Sequence, residues 1–281
     1  MSVPARVVLL AIGNELLNGE VRDSNLYTLA RSLTQRGFRV EQAAMVRDDP
    51  QTIAALLNTL LELHPEVIVI SGGLGPTDDD CTLPAVAHAV GQPLMEMPAA
   101  GEMVDQAYSR LLSAGYVLQR GPEAAQRKMA RLPLGAEPLL NPVGVAPGVW
   151  LETDTTTLIC LPGVPEEMGA LLEGSAIPRL VARFGQRYWV EHAVIVLCED
   201  EANVAEPLRE IATSYPNIYI KSLAQTFPGS DASGAANPEL RIIVATHAAD
   251  KPAAQRQIQA ACAALQLALT RASISVLRIE S

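Results

Sequence analysis

The stretch with the most distinctive chemistry is residues 71–82, which read SGGLGPTDDDCT. A Val/Ile run at 66–70 precedes it and predicts a buried strand, while residues 83–90 predict a short helix after it. A strand, a glycine-rich turn and a helix start together allow backbone N–H groups and a helix dipole to hold a phosphate. A plain Gly-Pro turn with a solvated acidic patch is the alternative interpretation.

The same turn carries three adjacent carboxylates, Asp78, Asp79 and Asp80. They would repel a bare phosphate, so their presence favours a divalent cation between the carboxylates and the phosphate oxygens. The residue types therefore favour a site for a phosphorylated ligand together with a divalent metal.

The first ninety residues alternate between strand and helix patterns. Strands are predicted at 6–12, 38–46 and 66–70, and helices at 24–35, 50–63 and 83–90. This alternation is typical of an α/β fold with a parallel sheet and helices on both faces. Short right-handed connections favour the strand order 2-1-3.

A ligand of such a sheet lies beyond the carboxyl ends of the strands, at the switch point. The loops at 13–25 and 71–80 flank that point, and both are rich in glycine and carboxylate. Asp48 follows the second strand at the same edge, and Glu15 lies in the first loop. We therefore expect these carboxylates to converge with those of the turn.

Residues 98–131 look helical, with interruptions, and carry basic side chains near 120–131. These side chains could reach an anionic ligand or form a solvated helix face. Residues 149–152 and 156–161 predict a hairpin. Residues 161–168 repeat the pattern of strand, Pro/Gly turn and helix start, which offers further N–H donors or simply a proline-initiated helix.

The pattern changes in the last third of the chain. Strands are predicted at 188–197, 217–223, 239–246 and 273–279, and helices at 200–212 and 252–267. This β-α-β-β-α-β order is the split pattern of a small ferredoxin-like α+β domain. We predict one domain over 1–186 and a second over 187–281. Residues 227–238 are flexible by composition, and His192 and His247 are interpreted as structural.

Composition excludes several classes of protein. A net charge of −10 disfavours a nucleic-acid binder, and the chain has no apolar run long enough for a membrane span. The four cysteines are far apart without a CxxC pair, and the N-terminus does not resemble a signal peptide, so a cytoplasmic protein is expected. Cys81 is interpreted as a small buried thiol rather than a nucleophile.

Five ordered blocks resemble the competence/damage-inducible CinA family. They are GNELLNG at 13–19, Asp23-x-Asn25, the turn at 71–82, NPVGVAPG at 141–148 and LPGVPEE at 161–167. The first block and the turn are also similar to the wider molybdopterin-binding domain family of MoaB, MogA, MoeA and gephyrin. The resemblance is close over roughly residues 5–185. It implies a three-layer α/β/α domain with an acidic pocket, followed by the small α+β domain.

The resemblance also implies an activity. CinA-like proteins suggest a metal-dependent pyrophosphatase that hydrolyses ADP-ribose or a similar nucleoside diphosphate derivative, with Mg²⁺, Mn²⁺ or Co²⁺ and with or without K⁺. The molybdopterin branch suggests instead a pterin-binding protein of molybdenum cofactor biosynthesis. An inactive regulatory homologue is the third possibility. A homo-oligomer is expected, and a C-terminal deamidase domain is expected to be absent.

The residue roles implied by the resemblance form one set. The catalytic residues would be Asp48 and Asp80, the metal ligands Glu15, Asp79 and Asp80, and the ligand-binding residues Asn25, Gly72, Gly73, Gly75, Thr77, Gly144, Pro147 and Gly163. Two positions depart from the family pattern. CinA-like sequences commonly have Thr where Asn14 stands, and Lys or Arg where Asp78 stands.

Overall fold

A computed structural model of the chain describes residues 4–223 and 239–281. The segment predicted to be flexible, 227–238, lies outside the described residues. The chain divides into two compact units. The first is Met1–Thr34 with Phe38–Gly185, and the second is Gln35–Gly37 with Gln186–Ser281.

The first unit is built on a six-stranded sheet. Its strands are β1 (Arg6–Ile12), β2 (Arg39–Val46), β3 (Val67–Ser71), β6 (Glu137–Leu139), β7 (Gly148–Glu152) and β8 (Thr157–Leu161), with β4 (Leu94–Glu96) and β5 (Arg131–Pro133) forming a separate pair. Its helices are α1 (Asn14–Leu17), α2 (Asn25–Gln35), α3 (Pro50–Leu61), α4 (Thr82–Ala89), α5 (Pro98–Ser113), α6 (Glu123–Met129), α7 (Pro165–Leu171) and α8 (Ile177–Phe184).

The order of this sheet is β2-β1-β3-β8-β7-β6. Strands β2, β1, β3 and β8 run parallel, whereas β7 is antiparallel to both β8 and β6. The predicted order 2-1-3 and the β7–β8 hairpin are confirmed. The sequence did not predict β4, β5 and β6, which have three residues each and pair at the margins of the unit.

Local sequence explains where the helices begin. The Asp49 side chain accepts the N–H of Thr52, and Pro50 starts α3, as predicted. The Asp23 carboxylate accepts the N–H of Leu26 at the start of α2. The strands β1, β3 and β8 are apolar except at one end residue each, and helices bury them on both faces in two separate apolar clusters. The carboxyl ends of these strands are thereby held at one edge.

The second unit is a four-stranded antiparallel sheet with the order β10-β11-β9-β12. Its elements are β9 (Tyr188–Leu197), α9 (Ala205–Ser214), β10 (Tyr219–Leu223), β11 (Glu239–Ala248), α10 (Lys251–Arg271) and β12 (Ser275–Glu280). Both the β-α-β-β-α-β succession and this strand order are those of a ferredoxin-like fold, which confirms the predicted class. His247 packs against Trp189 with ring centroids 4.5 Å apart, and burial lowers its pKa to about 4, so the ring is neutral.

Candidate functional site

A cavity of about 770 Å³ opens where β1, β3 and β8 end. Five carboxylate side chains line it, namely Glu15, Asp48, Asp79, Asp80 and Glu167. Glycines line it as well, namely Gly13, Gly72, Gly73, Gly75, Gly144 and Gly163. An apolar wall includes Leu74, Tyr108, Leu111, Met129 and Val145. Of the carboxylates expected to converge, Glu15, Asp48, Asp79 and Asp80 therefore do line one cavity at the predicted edge of the sheet, whereas Asp78 does not.

The glycine turn packs backbone against backbone. Gly72 has φ +110°, and a Cβ there would lie 2.1 Å from the carbonyl oxygen of Ile12, at the end of β1. A Cβ on Gly163 would lie 3.4 Å from the Cα of Gly72. The loops that follow β1, β3 and β8 thus meet at Gly72, where both the positive φ and the close approach require glycine.

The turn offers a short row of backbone donors. The N–H of Gly72 donates to the carbonyl oxygen of Leu161 at 3.0 Å, so it is not available to a ligand. This corrects the expectation that the N–H of Gly72 would bind phosphate. The N–H groups of Gly73, Leu74 and Gly75 have no acceptor within the described residues. They are the donors that remain for an anion.

Asp80 closes the turn internally. Its Oδ2 accepts both the N–H of Thr77, at 3.0 Å, and the hydroxyl of Thr77, at 2.6 Å. Thr77 is exposed and lies outside the cavity lining, so the structure places it as the partner of Asp80. Asp80 thus shapes the turn in addition to lining the cavity.

Asp48 is half-buried and binds the backbone that begins α1. Its Oδ2 accepts the N–H of Asn14 at 2.7 Å. Burial raises the pKa of Asp48; the hydrogen bond from Asn14 opposes this, while the negative charges of Glu15 and Asp79 raise it further. Asp48 therefore holds a proton more tightly than an ordinary aspartate, as a general base requires.

Three of the predicted ligand-binding residues lie away from the cavity lining: Thr77, Asn25 and Pro147. The Asn25 amide donates to the Ser71 hydroxyl at 2.9 Å and to the carbonyl oxygen of Gly163 at 2.7 Å. Asn25 lines a smaller cavity of about 80 Å³ and ties the loops after β3 and β8 together. Pro147 is buried. Their predicted role in direct ligand binding stays a prediction.

A second set of contacts holds the loop that carries Gly144. Arg110 of α5 donates to the carbonyl oxygens of Val143 and Gly144 at 3.1 and 2.8 Å. Asn141 accepts the N–H of Gly144 at 2.8 Å and donates to Glu167 at 2.7 Å. The roles of Arg110 and Glu167, and the apolar wall, were not predicted, because the spacing of these residues in the sequence does not show which side chains face the cavity or its loops.

Two of the basic side chains near 120–131 form surface ion pairs, Arg120 with Asp105 and Arg127 with Glu96 and Glu123. Lys128 contacts the turn instead, so the cluster is not one solvated face. Cys81 is buried, and burial raises the pKa of its thiol, which confirms its interpretation as a small buried thiol.

The carboxylates of the cavity could bind a hard cation such as Mg²⁺ only if a bound ligand supplied further oxygen atoms. Among residues 4–223 and 239–281, no group of three or more His, Cys, Asp or Glu side chains could hold a metal ion by itself. Glu15, Asp79 and Asp80 therefore do not form a complete metal cage. Carboxylate oxygens nevertheless line the cavity, and Mg²⁺ commonly binds through one or two carboxylates plus substrate phosphates.

Over the described ranges, every helix is too short or too polar to cross a bilayer.

Comparison with known proteins places this site in a family. Residues 8–182 match the family described as "Probable molybdopterin binding domain". The chain belongs to the molybdopterin-binding domain family. The predicted resemblance is confirmed also for CinA: the crystal structure of CinA from Thermoplasma acidophilum, described as a protein with unknown function, is 33% identical with a TM-score of 0.56. The match covers 63% of this chain and 99% of that one.

Two further proteins are similar over more of the chain. Protein TK1472 of Thermococcus kodakarensis is 40% identical over 219 residues, which is 78% of this chain and 85% of that protein. Protein PF0476 of Pyrococcus furiosus is 39% identical over 202 residues, which is 72% of this chain and 79% of that protein. The likeness to the CinA crystal structure, together with the sheet buried between two apolar clusters, confirms the α/β/α class predicted for the first unit.

Proposed function

We propose that this chain binds a phosphorylated nucleotide together with a divalent cation and hydrolyses its phosphoanhydride bond, with ADP-ribose as the model substrate. The observation that carries the proposal is the meeting of Asp48, Glu15 and Asp79 with the unpartnered N–H groups of the glycine turn in one cavity. The resemblance to CinA supports it. Residues that bind phosphate and residues that repel it lie side by side, an arrangement that favours a ligand carrying a cation.

The backbone would bind and orient the ligand. The N–H groups of Gly73, Leu74 and Gly75 would donate to one phosphate, in a turn whose shape is already fixed by hydrogen bonds. Gly163, whose backbone lies against Gly72, would face the second phosphate. The apolar wall, with Tyr108 and Met129, would pack against the base.

The carboxylates would bind the cation and accept a proton. A divalent cation, when bound, would supply neutralisation of phosphate charge and Lewis-acid polarisation. Glu15, Asp79 and Asp80 would hold it together with phosphate oxygens. Asp48 would accept the proton of the attacking water as its oxygen bonds to phosphorus and the bridging oxygen departs. Its raised pKa suits that role, because a base must hold the proton it receives.

A pterin phosphate is the second candidate ligand. The chain's membership of the molybdopterin-binding domain family favours it, and the apolar wall would accommodate a planar pterin ring as well as an adenine. In that case the chain would bind without turnover. The two candidates share the glycine turn and differ in whether a bond is broken.

The test is a release assay on the purified chain. ADP-ribose is supplied with Mg²⁺, Mn²⁺ or Co²⁺, with and without K⁺, and AMP and ribose phosphate are measured. We expect metal-dependent release that falls roughly 100-fold or more in Asp48→Asn, the usual loss for a general base. Asp78→Asn removes an equal charge from the same turn but lies outside the cavity lining, so it serves as the control and should retain activity.

The outcomes separate the two candidates. Release that persists in Asp48→Asn would exclude the assigned base. No release with any of the three metals would overturn the hydrolase proposal. Calorimetry with a pterin phosphate would then show whether the same cavity binds the second candidate.

A further inference from the structure

One cation of the first unit is enclosed by backbone rather than by carboxylates. The Lys128 ammonium, on α6, donates to the carbonyl oxygens of Gly75 at 3.2 Å and Asp80 at 2.7 Å, and also to that of Thr77. An ammonium has three N–H donors. All three are therefore engaged by a single turn, the one that carries the candidate catalytic aspartates.

Lys128 differs in this from its basic neighbours. Arg120 and Arg127 form ion pairs with carboxylates at the surface. Lys128 forms no ion pair within the described ranges, although three aspartates stand in the turn that it contacts. Its contacts are those of a cation coordinated by carbonyl oxygens.

Lys128 also lies outside the lining of the main cavity. It lines a separate cavity of about 210 Å³ with Leu83 and Leu94. Asp80 lines both cavities. A direct contact between the ammonium and a phosphate in the main cavity would require it to leave its three carbonyl partners.

By holding the carbonyl groups of the turn, the Lys128 ammonium also sets the direction of the N–H groups in the same peptide units. The C=O and N–H of a trans peptide point in opposite directions. Because the carbonyls of Thr77 and Asp80 point at the ammonium, the N–H groups of the next residues, Asp78 and Cys81, point away from it. The ammonium thus helps to orient the peptide groups that follow Thr77 and Asp80.

We propose that Lys128 is a positioning residue whose ammonium takes the place of a bound cation beneath the Gly/Asp turn and holds Asp79 and Asp80 at the cavity. The effect of Lys128 on turnover rests on the function proposed above, whereas its effect on the shape of the turn is independent of that function. Separate experiments test the two effects.

The first experiment needs no substrate. In the full chain, Lys128→Ala removes three carbon atoms and the ammonium group, which together correspond to propylammonium. Added propylammonium can therefore occupy the space that the side chain leaves. We expect Lys128→Ala to lower the melting temperature, and propylammonium chloride to restore part of the loss. Tetramethylammonium chloride at equal ionic strength, which has the charge but no N–H donor, should not restore it. Lys221→Ala, an exposed lysine on β10, is the control that neither salt should affect.

Equal effects of the two salts on Lys128→Ala would overturn the proposal. A second variant, Lys128→Met, keeps the volume of the side chain and removes its charge and donors. Unchanged amide resonances of residues 73–80 in that variant would overturn the proposal as well.

The second experiment uses the ADP-ribose assay. Lys128→Met should lower kcat roughly ten- to hundredfold, the cost of misplacing catalytic groups, with a smaller effect on KM. Propylammonium should raise the activity of Lys128→Ala. Equal kcat in wild type and Lys128→Met would exclude a positioning role in turnover. If wild type has no activity while the substrate-free rescue succeeds, the hydrolase proposal fails and the role of Lys128 in the turn stands.

Discussion

Asp48 lies half-buried near two other carboxylates, Glu15 and Asp79, and its side chain accepts one hydrogen bond from another residue's backbone, that of Asn14. The adjacent Asp49 differs in its hydrogen bonds. It caps α3 and accepts both the N–H and the hydroxyl of Thr52. Those hydrogen bonds lower the pKa of Asp49, whereas burial raises that of Asp48. At neutral pH the ionised form of Asp48 therefore lowers the free energy of unfolding, whereas that of Asp49 increases it.

We expect Asp48→Asn to stabilise the fold at neutral pH. Because the folded-state pKa of Asp48 is raised, the folded state binds more protons than the unfolded state just above the ordinary pKa of 3.8. The stability of the wild type therefore falls as pH rises through that window, and the gain from Asn should be present at pH 8 and absent below the ordinary pKa. Urea denaturation of both proteins across this range measures it.

Asp49→Ala is the comparison for that experiment. The lowered pKa of Asp49 means that its stabilisation is present above the ordinary pKa and is lost as pH falls through the folded value. Asp49→Ala should therefore destabilise the fold at pH 8 and matter less in acid. A loss of stability at pH 8 in both variants would contradict the environment described for Asp48.

At the scale of elements, the site depends on three loops that meet where β1, β3 and β8 end. Their spacing is set by Gly72, since a side chain there would meet the Ile12 carbonyl of the adjacent strand end. Gly91, after α4, also has a positive φ, of +67°, but a Cβ there would meet open space. A side chain at Gly91 would meet only the cost of the backbone conformation, whereas a side chain at Gly72 would also meet the cost of close approach to backbone. Substituting each glycine therefore measures the two costs separately.

We expect Gly91→Ala to cost about 1 kcal/mol, the usual penalty for a left-handed residue with a side chain. Gly72→Ala should cost more than about 3 kcal/mol, because overpacking against backbone adds to the same conformational strain. Chemical denaturation gives both values. Equal costs for the two substitutions would show that the loops can separate freely, and would remove Gly72 as the element that sets their spacing.

The sequence was sufficient for the regular part of this arrangement. Strongly apolar strands, with Asp49 and Pro50 as a clear helix start, fix the β-α alternation, and the strand order then brings Glu15 and Asp48 to one edge. The roles of Thr77 and Asn25 could not be predicted in the same way. The Asn25 amide binds the loops after β3 and β8, and that contact depends on distances in three dimensions that a motif does not encode. The Thr77 hydroxyl binds Asp80 within its own turn, and the motif does not show that this hydroxyl turns inward rather than toward a ligand.

The segment from β4 to β5, which contains α5 and α6, was the hardest part of the first unit to predict from sequence. It begins and ends with three-residue strands, and its interior helices carry mixed charge. Whether Lys128 faces solvent, an anion or the turn depends on how α6 is rotated, and the basic side chains of 120–131 look alike in sequence. Periodicity identifies an apolar face, but it does not distinguish two neighbouring cations.

At the scale of the whole molecule, the lining of the main cavity comes entirely from residues 12–167, within the first unit. That unit has its own sheet and two apolar clusters, and the second unit has a core of its own around Val194, Ile242 and Ile258. Each unit thus contains the features expected of an independently stable domain.

We therefore expect a fragment of residues 1–185 to fold and to bind ligand with the affinity of the full chain. Circular dichroism establishes folding, and calorimetry with ADP-ribose and Mg²⁺ compares the two proteins. A folded fragment with much weaker binding would contradict the assignment of the site to the first unit alone.

The position of β8 in the sheet has a consequence for synthesis of the chain. It pairs directly with β3, and the Ser71 hydroxyl reaches the Pro162 carbonyl across 91 residues of sequence. A nascent chain that has just completed β3 thus exposes an unpaired strand edge. The ligand cavity cannot exist until translation has passed β8, and a chain stalled earlier would present that edge to aggregation or to a chaperone.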